Sequence, residues 1–143
     1  MAILENASFD ENPLSVSLEV HPQDKEGWRQ FKLSLVYGPN HDKELAGVSE
    51  AFYKDDHRVL ISALRGLATG TETRVDYEPL EPSFLLRGQR LPDDDIELAW
   101  FVDQGEIENR VSTSTGPGIL IRVDAQPLLD FADALEAEGS ETR

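Results

Sequence analysis

The chain has 143 residues, 39% of them hydrophobic, and a formal net charge of −15 from 28 acidic and 13 basic residues. This length suits a single domain, residues 1–143, with its own apolar core. The negative charge disfavours nucleic acid and anionic membrane surfaces as partners, because their phosphates would be repelled.

Cysteine is absent, which excludes disulfides, thiolate metal sites and cysteine nucleophiles. The first residues, MAILENASFDEN, contain no basic region and no apolar run of signal-peptide length. No stretch of the sequence approaches the roughly 18 apolar residues of a membrane-spanning helix. These features predict a cytoplasmic protein.

A β-hairpin is predicted after a polar start, residues 1–12, which we expect to be flexible. Ser15–His21 and Phe31–Tyr37 place apolar side chains at every second position, as half-buried strands do. Pro22–Gly27 supplies turn-forming residues between them, so the two strands should pair antiparallel. Leu45–Tyr53 fits a further strand that leads into a helix.

The first predicted helix begins at Asp55 or Asp56, where a carboxylate can cap free backbone N–H groups and offset the helix dipole. Gly70 stands where a left-handed residue ends a helix. Between them, apolar residues recur at helical spacing along one face: Val59, Leu60, Ala63, Leu64 and Leu67.

Short strand-like segments separated by turns follow this helix: Arg74–Tyr77, Ser83–Arg87, Ile96–Val102 and Gly118–Val123. Asp124 opens a second helix, which tolerates Pro127 in its first turn and ends at Gly139. Residues 140–143 are expected to be a flexible tail. Because strands and helices do not alternate regularly, we predict an α+β fold. Its mainly antiparallel sheet would carry one central and one C-terminal helix.

No residue pattern indicates catalysis, a metal site or a cofactor. His21, His41 and His57 lack the spacing that would place two imidazoles on one metal, and we expect His57 on the surface in a capping turn. Glu78 and Glu81 occupy a proline-stiffened loop without the features of a glycosidase pair. Ser112–Thr115 reads as a hairpin turn, since no phosphate-binding lysine motif accompanies it.

Acidic residues are the best candidates for contact with a protein partner. A run of aspartates could attract calcium, but it leads directly into a strand pattern and lacks the calcium-loop arrangement, so a charged turn is favoured. We predict that a basic partner contacts this turn and a nearby acidic segment, through Asp93, Asp94, Asp95, Glu97, Glu106 and Glu108.

Three segments resemble the WapI-type immunity proteins, which occur beside bacterial polymorphic toxins. These segments are Asp55–Gly70, Tyr77–Phe84 and Pro127–Leu135, within a resemblance that covers roughly Phe31–Leu135. Related bacterial families without an assigned partner share the arrangement. The resemblance implies a non-catalytic protein that neutralises a toxin, and it supplies no catalytic or toxin-binding residue to transfer.

Three functions follow as hypotheses. The first is an acidic binding protein, of the immunity type, that occludes a basic toxin domain by electrostatic attraction. The second is a homodimeric structural or regulatory protein that associates through the apolar strand Ile119–Ile121. The third is a hydrolase or small-molecule binder whose residues converge only in space, in a deep pocket with buried, pKa-shifted groups.

Overall fold

The structure, a computed structural model, describes residues 1–80, 83–102, 106–107, 110–111 and 116–140. Within these ranges the chain has an α+β fold of antiparallel strands and two helices, which confirms the predicted class. The strands are β1 (Ala2–Glu5), β2 (Leu14–Val20), β3 (Trp28–Tyr37), β4 (Lys43–Tyr53), β5 (Arg74–Tyr77), β6 (Phe84–Arg90), β7 (Ile96–Val102), β8 (Glu106–Ile107), β9 (Arg110–Val111) and β10 (Gly118–Val123). The helices are α1 (Asp56–Thr69), between β4 and β5, and α2 (Ala125–Ser140), after β10.

The first four strands form one sheet in the order β1-β2-β3-β4. The predicted hairpin is confirmed as β2 and β3, which pair antiparallel from Leu14 opposite Tyr37 to Val20 opposite Phe31. The further strand predicted at Leu45–Tyr53 is confirmed as part of β4, which pairs with β3 along its length and is followed by α1. A four-stranded sheet therefore precedes α1.

The prediction of a flexible start is wrong for Ala2–Glu5, which forms β1 and pairs with β2. Ala2 and Leu4 are 2% and 1% exposed, because pairing with β2 turns both side chains into the core. Beyond β1, Ala7 N donates to the Arg122 carbonyl at 2.7 Å. Four residues with two inward positions are too few to show an alternating pattern, so the sequence alone did not reveal this strand.

The second sheet has the order β10-β7-β6-β5. The bounds of β5, β7 and β10 match the predicted segments, whereas β6 starts one residue later than predicted and continues to Arg90. Gly88 lets α1 approach this sheet closely, since a Cβ built there would lie only 2.4 Å from Leu67 Cδ1. The apolar face of α1 therefore packs on β6.

A chain of aromatic contacts joins the two sheets and α2 in one core. The ring centroids of Phe31 and Phe84 are 5.6 Å apart, which brings β3 of the first sheet against β6 of the second. Trp100 lies 6.2 Å from Phe84 and 6.4 Å from Phe131 of α2. Large aromatic side chains contribute strongly to core stability.

The two helices pack against each other, and Arg65 of α1 pairs with Asp133 and Glu136 of α2.

The ends of the helices match the predictions only in part. Asp55 occupies the predicted N-cap of α1 but makes no side-chain capping hydrogen bond. Gly70 ends α1 with φ 84°, as predicted. Helix α2 continues to Ser140, so Gly139 lies inside its last turn and does not end it. Neither helix of the described ranges is long and apolar enough to cross a membrane.

Candidate functional site

The predicted partner-contact residues divide into two groups. Four lie together at the hairpin between β6 and β7: Asp93, Asp94, Asp95 and Glu97. Glu106 belongs to β8, where the structure describes only the backbone. Glu108 lies outside the described residues. Side-chain positions are therefore described for the acidic turn at Asp93–Glu97 and not for Glu106 or Glu108.

Arginines of the same chain partly neutralise this acidic turn. Arg90 Nε lies 3.4 Å from Asp94 Oδ1. Arg122 lies 4.0 Å from Asp95 Oδ2 and 3.7 Å from Glu97 Oε2. All three carboxylates therefore have a cationic neighbour within the fold, which weakens the attraction that they can offer to a partner.

A second acidic feature is a groove of about 470 Å³ between β1 and α2, which we call the acidic groove. Three carboxylates lie at this groove, from Glu5, Asp124 and Asp130. No arginine or lysine is among its lining residues. Its apolar lining comprises Ile3, Leu4, Ala7, Phe9, Pro127, Phe131 and Ala134. The groove combines negative charge with apolar surface.

Local contacts hold the rim of the acidic groove. The ring of Phe9 stacks on His41 at 5.2 Å, and His41 Nε2 lies 3.3 Å from Glu5 Oε1. Gln126 Nε2 donates to Asp130 Oδ1 at 2.9 Å, one helical turn apart on α2. The carboxylates of this groove have polar neighbours but no arginine or lysine among the described ion pairs.

A larger cavity, of about 930 Å³, lies between the start of α1, the end of α2 and the turn between β2 and β3. We call it the arginine cleft, because three arginines and one glutamate supply its charged lining: Arg29, Arg58, Arg65 and Glu136. The remaining lining residues are Pro22, Gln23, His57, Ile61, Ser62, Gly139 and Ser140. A cleft with an excess of arginine is unusual on so acidic a chain.

Two polar side chains of the arginine cleft are buried, since Arg29 is 8% and His57 is 5% exposed. The prediction that His57 lies on the surface is therefore wrong. Arg29 Nη1 donates to the Gly139 carbonyl, while Arg29 Nε makes no hydrogen bond and is shielded from solvent. A Cβ at Gly139 would lie 3.2 Å from His57 Nε2, so the imidazole packs directly against this glycine.

Burial controls the ionisation of this pair. It lowers the pKa of His57 to about 4, helped by the positive charges of Arg29 and Arg58 and opposed by Asp55 and the Lys54 carbonyl. Burial also lowers the pKa of Arg29, and the charge of Arg58 adds to this effect while Asp55 opposes it. At pH 7 the His57 imidazole is therefore neutral, whereas an arginine guanidinium stays charged in proteins.

The sequence contained a signal for part of this cleft. His57, Ile61 and Arg65 are spaced by four residues, which places them along one face of a helix. That face also holds Leu64 of the core, so His57 could have been expected to be buried. Arg29 has no such signal, because a lone arginine at the start of a strand usually faces solvent.

Glu78 and Ile119–Ile121 are not among the lining residues of either cavity. Among the described residues, no three His, Asp or Glu side chains are placed to hold a metal ion. Glu78 is exposed, while Glu81 and Ser112–Thr115 lie outside the described residues. Along the proposed dimer edge, Ile121 is fully buried and Leu120 is 52% exposed, so the strand is only partly an apolar surface.

Comparison with known proteins gives no relative from which a role could be transferred. No protein-family model matches the chain, and no curated protein matches it significantly. The acidic groove, the acidic turn and the arginine cleft are the candidate functional sites.

Proposed function

We propose that this protein acts by binding and not by catalysis, and that a cationic segment of a partner protein docks in the acidic groove. The observation that supports this proposal is the composition of the groove lining. Glu5, Asp124 and Asp130 surround apolar side chains, and no lysine or arginine lines the groove. The acidic turn predicted from the sequence becomes a secondary contact, since arginines already neighbour it.

Electrostatics supports the same partner class. A chain with a net charge of −15 attracts cationic proteins at long range and accelerates their encounter. At short range, the apolar lining can bury part of the partner, with Ile3 39% exposed and available for contact. Attraction and apolar burial thus act at one place.

The resemblance to WapI-type immunity proteins supports a basic toxin domain as this partner. On this proposal the protein works in the cytoplasm, where it covers the basic surface of the toxin. The homodimer is the competing proposal, with the half-exposed Leu120 at the contact. Sedimentation equilibrium separates the two, because a homodimer forms without any second protein.

Charge reversal in the groove tests the proposal. We would measure binding of a fluorescent peptide of alternating arginine and leucine, and of the purified products of neighbouring genes, by anisotropy and calorimetry. Asp130→Lys should weaken binding about tenfold or more and slow association, with a weaker dependence on salt. Asp130 is exposed, so the substitution should leave the fold intact.

Asp94→Lys is the matched control, since it changes the net charge equally at an exposed position of the acidic turn. A smaller effect of Asp94→Lys supports the groove as the docking site. Equal weakening by both variants would show that total charge, and not the groove, governs binding. A wild-type protein that binds neither the peptide nor any neighbouring gene product would refute the proposal.

A further inference from the structure

The arginine cleft contains a buried cation, Arg29, that forms no ion pair with any residue that the structure describes. Arg29 is 8% exposed, and no carboxylate of the described residues lies within ion-pair distance of it. A buried charge is strongly unfavourable unless hydrogen bonds or an opposite charge compensate it.

Structural roles explain only part of this arrangement. Arg29 Nη1 donates to the carbonyl of Gly139 near the end of α2, where a cation also offsets the helix dipole. This bond leaves Nε without a partner. It does not involve Arg58, a cation in the first turn of α1 that faces the positive end of the helix dipole and pairs with Asp55.

Arg29 and Arg58 reinforce each other at the cleft. Each guanidinium opposes protonation of His57, and the charge of Arg58 lowers the pKa of Arg29, so the groups lie within electrostatic reach of one another. The nearest compensating group for Arg58 is Asp55, whose Oδ1 lies 3.6 Å from Arg58 Nε at an exposed position. Repulsion of this kind is relieved when an anion binds between the cations.

Arg65 has a different role from these two arginines. Its Nη2 lies 2.8 Å from Asp133 Oδ1 and its Nη1 lies 2.5 Å from Glu136 Oε2. These bonds bind α1 to α2 and satisfy the charge of Arg65. It therefore forms a wall of the cleft. Arg29, and Arg58 with its exposed pair Asp55, remain as the cations that can bind an anion.

We propose that the arginine cleft binds a small molecule through a phosphate or carboxylate group, with Arg29 and Arg58 as the recognition cations. Guanidinium groups favour both anions, because their planar N–H donors match two oxygens of the ligand. The hydroxyl of Ser62, which also lines the cleft, adds a donor. The volume of about 930 Å³ lies within the range of small-molecule sites.

This site is separate from the acidic groove. Its lining shares no residue with the groove, so failure of one proposal leaves the other standing. Binding of an anion would also add stability to the folded state, since the cleft requires α1, α2 and β3 to be in place.

NMR of the three histidines can test the proposal on the full chain. Inorganic phosphate and succinate would be titrated separately at pH 7, to about 20 mM at constant ionic strength near 0.1 M. We expect a saturable shift of the His57 ring resonances, while those of His21 and His41, outside the cleft lining, remain unchanged. The tighter of the two ligands identifies the anion class.

Arg58→Gln is the decisive variant, since the Arg58 side chain is 71% exposed and its loss should leave the fold intact. We expect about tenfold weaker binding or more, because a charge-assisted hydrogen bond is lost. Arg29→Gln should reduce binding further, if the variant folds. Arg87→Gln is the matched control, since Arg87 is also exposed and pairs with a single carboxylate, Asp76, at 3.5 Å.

Two results would overturn the proposal. One is a wild-type protein in which neither phosphate nor succinate shifts the His57 resonances in a saturable way. The other is equal weakening by Arg58→Gln and Arg87→Gln, which would show that the anions respond only to the total charge. Binding that Arg58→Gln weakens and Arg87→Gln preserves supports the assignment.

Discussion

Arg29 at the start of β3 donates a hydrogen bond from Nη1 to the carbonyl oxygen of Gly139, which lies 110 residues later in the last turn of α2. His57 packs against the same glycine, so the first sheet and both helices meet at one point. A Cβ at position 139 would crowd His57 Nε2 at 3.2 Å and would touch Arg29 Nη1 at 3.5 Å. The arginine cleft therefore exists only where α1 and α2 pack together against β3.

The buried His57 makes stability depend on pH. Its pKa falls from an ordinary 6.5 to about 4 on folding, so the unfolded chain binds the proton more tightly. Above about pH 6.5 His57 is neutral in both states and does not reduce the free energy of unfolding. As the pH falls from 6.5 toward 4, protonation favours the unfolded chain and the free energy of unfolding decreases. Between pH 7 and pH 5, His57 should account for a loss of about 2 kcal/mol.

Urea unfolding of the wild type and of His57→Gln at pH 7 and pH 5 measures this effect. The variant should lose about 2 kcal/mol less than the wild type between the two pH values. His21→Gln, at an exposed position, serves as the control and should follow the wild type. Equal losses in the wild type and His57→Gln would mean that folding does not lower the pKa of His57.

The close approach of α1 to β6 depends on the missing side chain of Gly88. An alanine there would place its Cβ 2.4 Å from Leu67 Cδ1 and 3.0 Å from Leu98 Cδ2. We expect Gly88→Ala to destabilise the fold by about 1–3 kcal/mol through overpacking. In a double-mutant cycle, Leu67→Ala should relieve the clash, so the combined loss is about 1 kcal/mol smaller than the sum. Strict additivity would contradict the contact.

Strand β1 is part of the core and not a flexible extension. Leu4 is 1% exposed, whereas its neighbour Ile3 is 39% exposed on the opposite face. Leu4→Ala should reduce the free energy of unfolding by about 2–4 kcal/mol, because it leaves a cavity in the core. Ile3→Ala should have less than half that effect, as measured by denaturant unfolding. Similar small losses in both variants would mean that β1 is frayed.

The ion pairs between α1 and α2 should contribute modestly to stability. Arg65 bonds to Asp133 and Glu136, and these hydrogen bonds raise the pKa of Arg65. The three side chains are 36%, 66% and 57% exposed, so solvent screens the pairs. Arg65→Gln should therefore lower the free energy of unfolding by only about 1 kcal/mol at low salt, and by less at 1 M salt.

Arg87→Gln is the comparison for Arg65→Gln, since its single pair with Asp76 lies on the exposed face of one sheet. We expect a change of about 0.5 kcal/mol or less for Arg87→Gln. A loss for Arg65→Gln that is no larger, or that does not decrease with salt, would show that packing alone joins the helices.

Local sequence patterns predicted most of the secondary structure. The alternation in β2, β3 and β7 and the apolar stripe of α1 follow from the geometry of strands and helices, which repeats over a few residues. Gly70 likewise marked the end of α1 through its backbone freedom. Strand β1 was not predicted, because its conformation depends on its pairing with β2.

One candidate site could be predicted from the sequence, and another could not. The acidic turn was visible because Asp93, Asp94 and Asp95 are adjacent in sequence, but their arginine neighbours come from other strand positions. The acidic groove brings Glu5 of β1 beside Asp130 of α2, which no sequence pattern relates.

The amino-acid sequence by itself determined the composition, the large negative charge and the local elements of an α+β fold. Only the tertiary structure decided which charges are neutralised, which are buried and which share a cavity. The physical reason is distance in three dimensions. Burial and Coulomb energies depend on neighbours such as Arg29, His57 and Gly139, which long stretches of chain separate and only packing brings together.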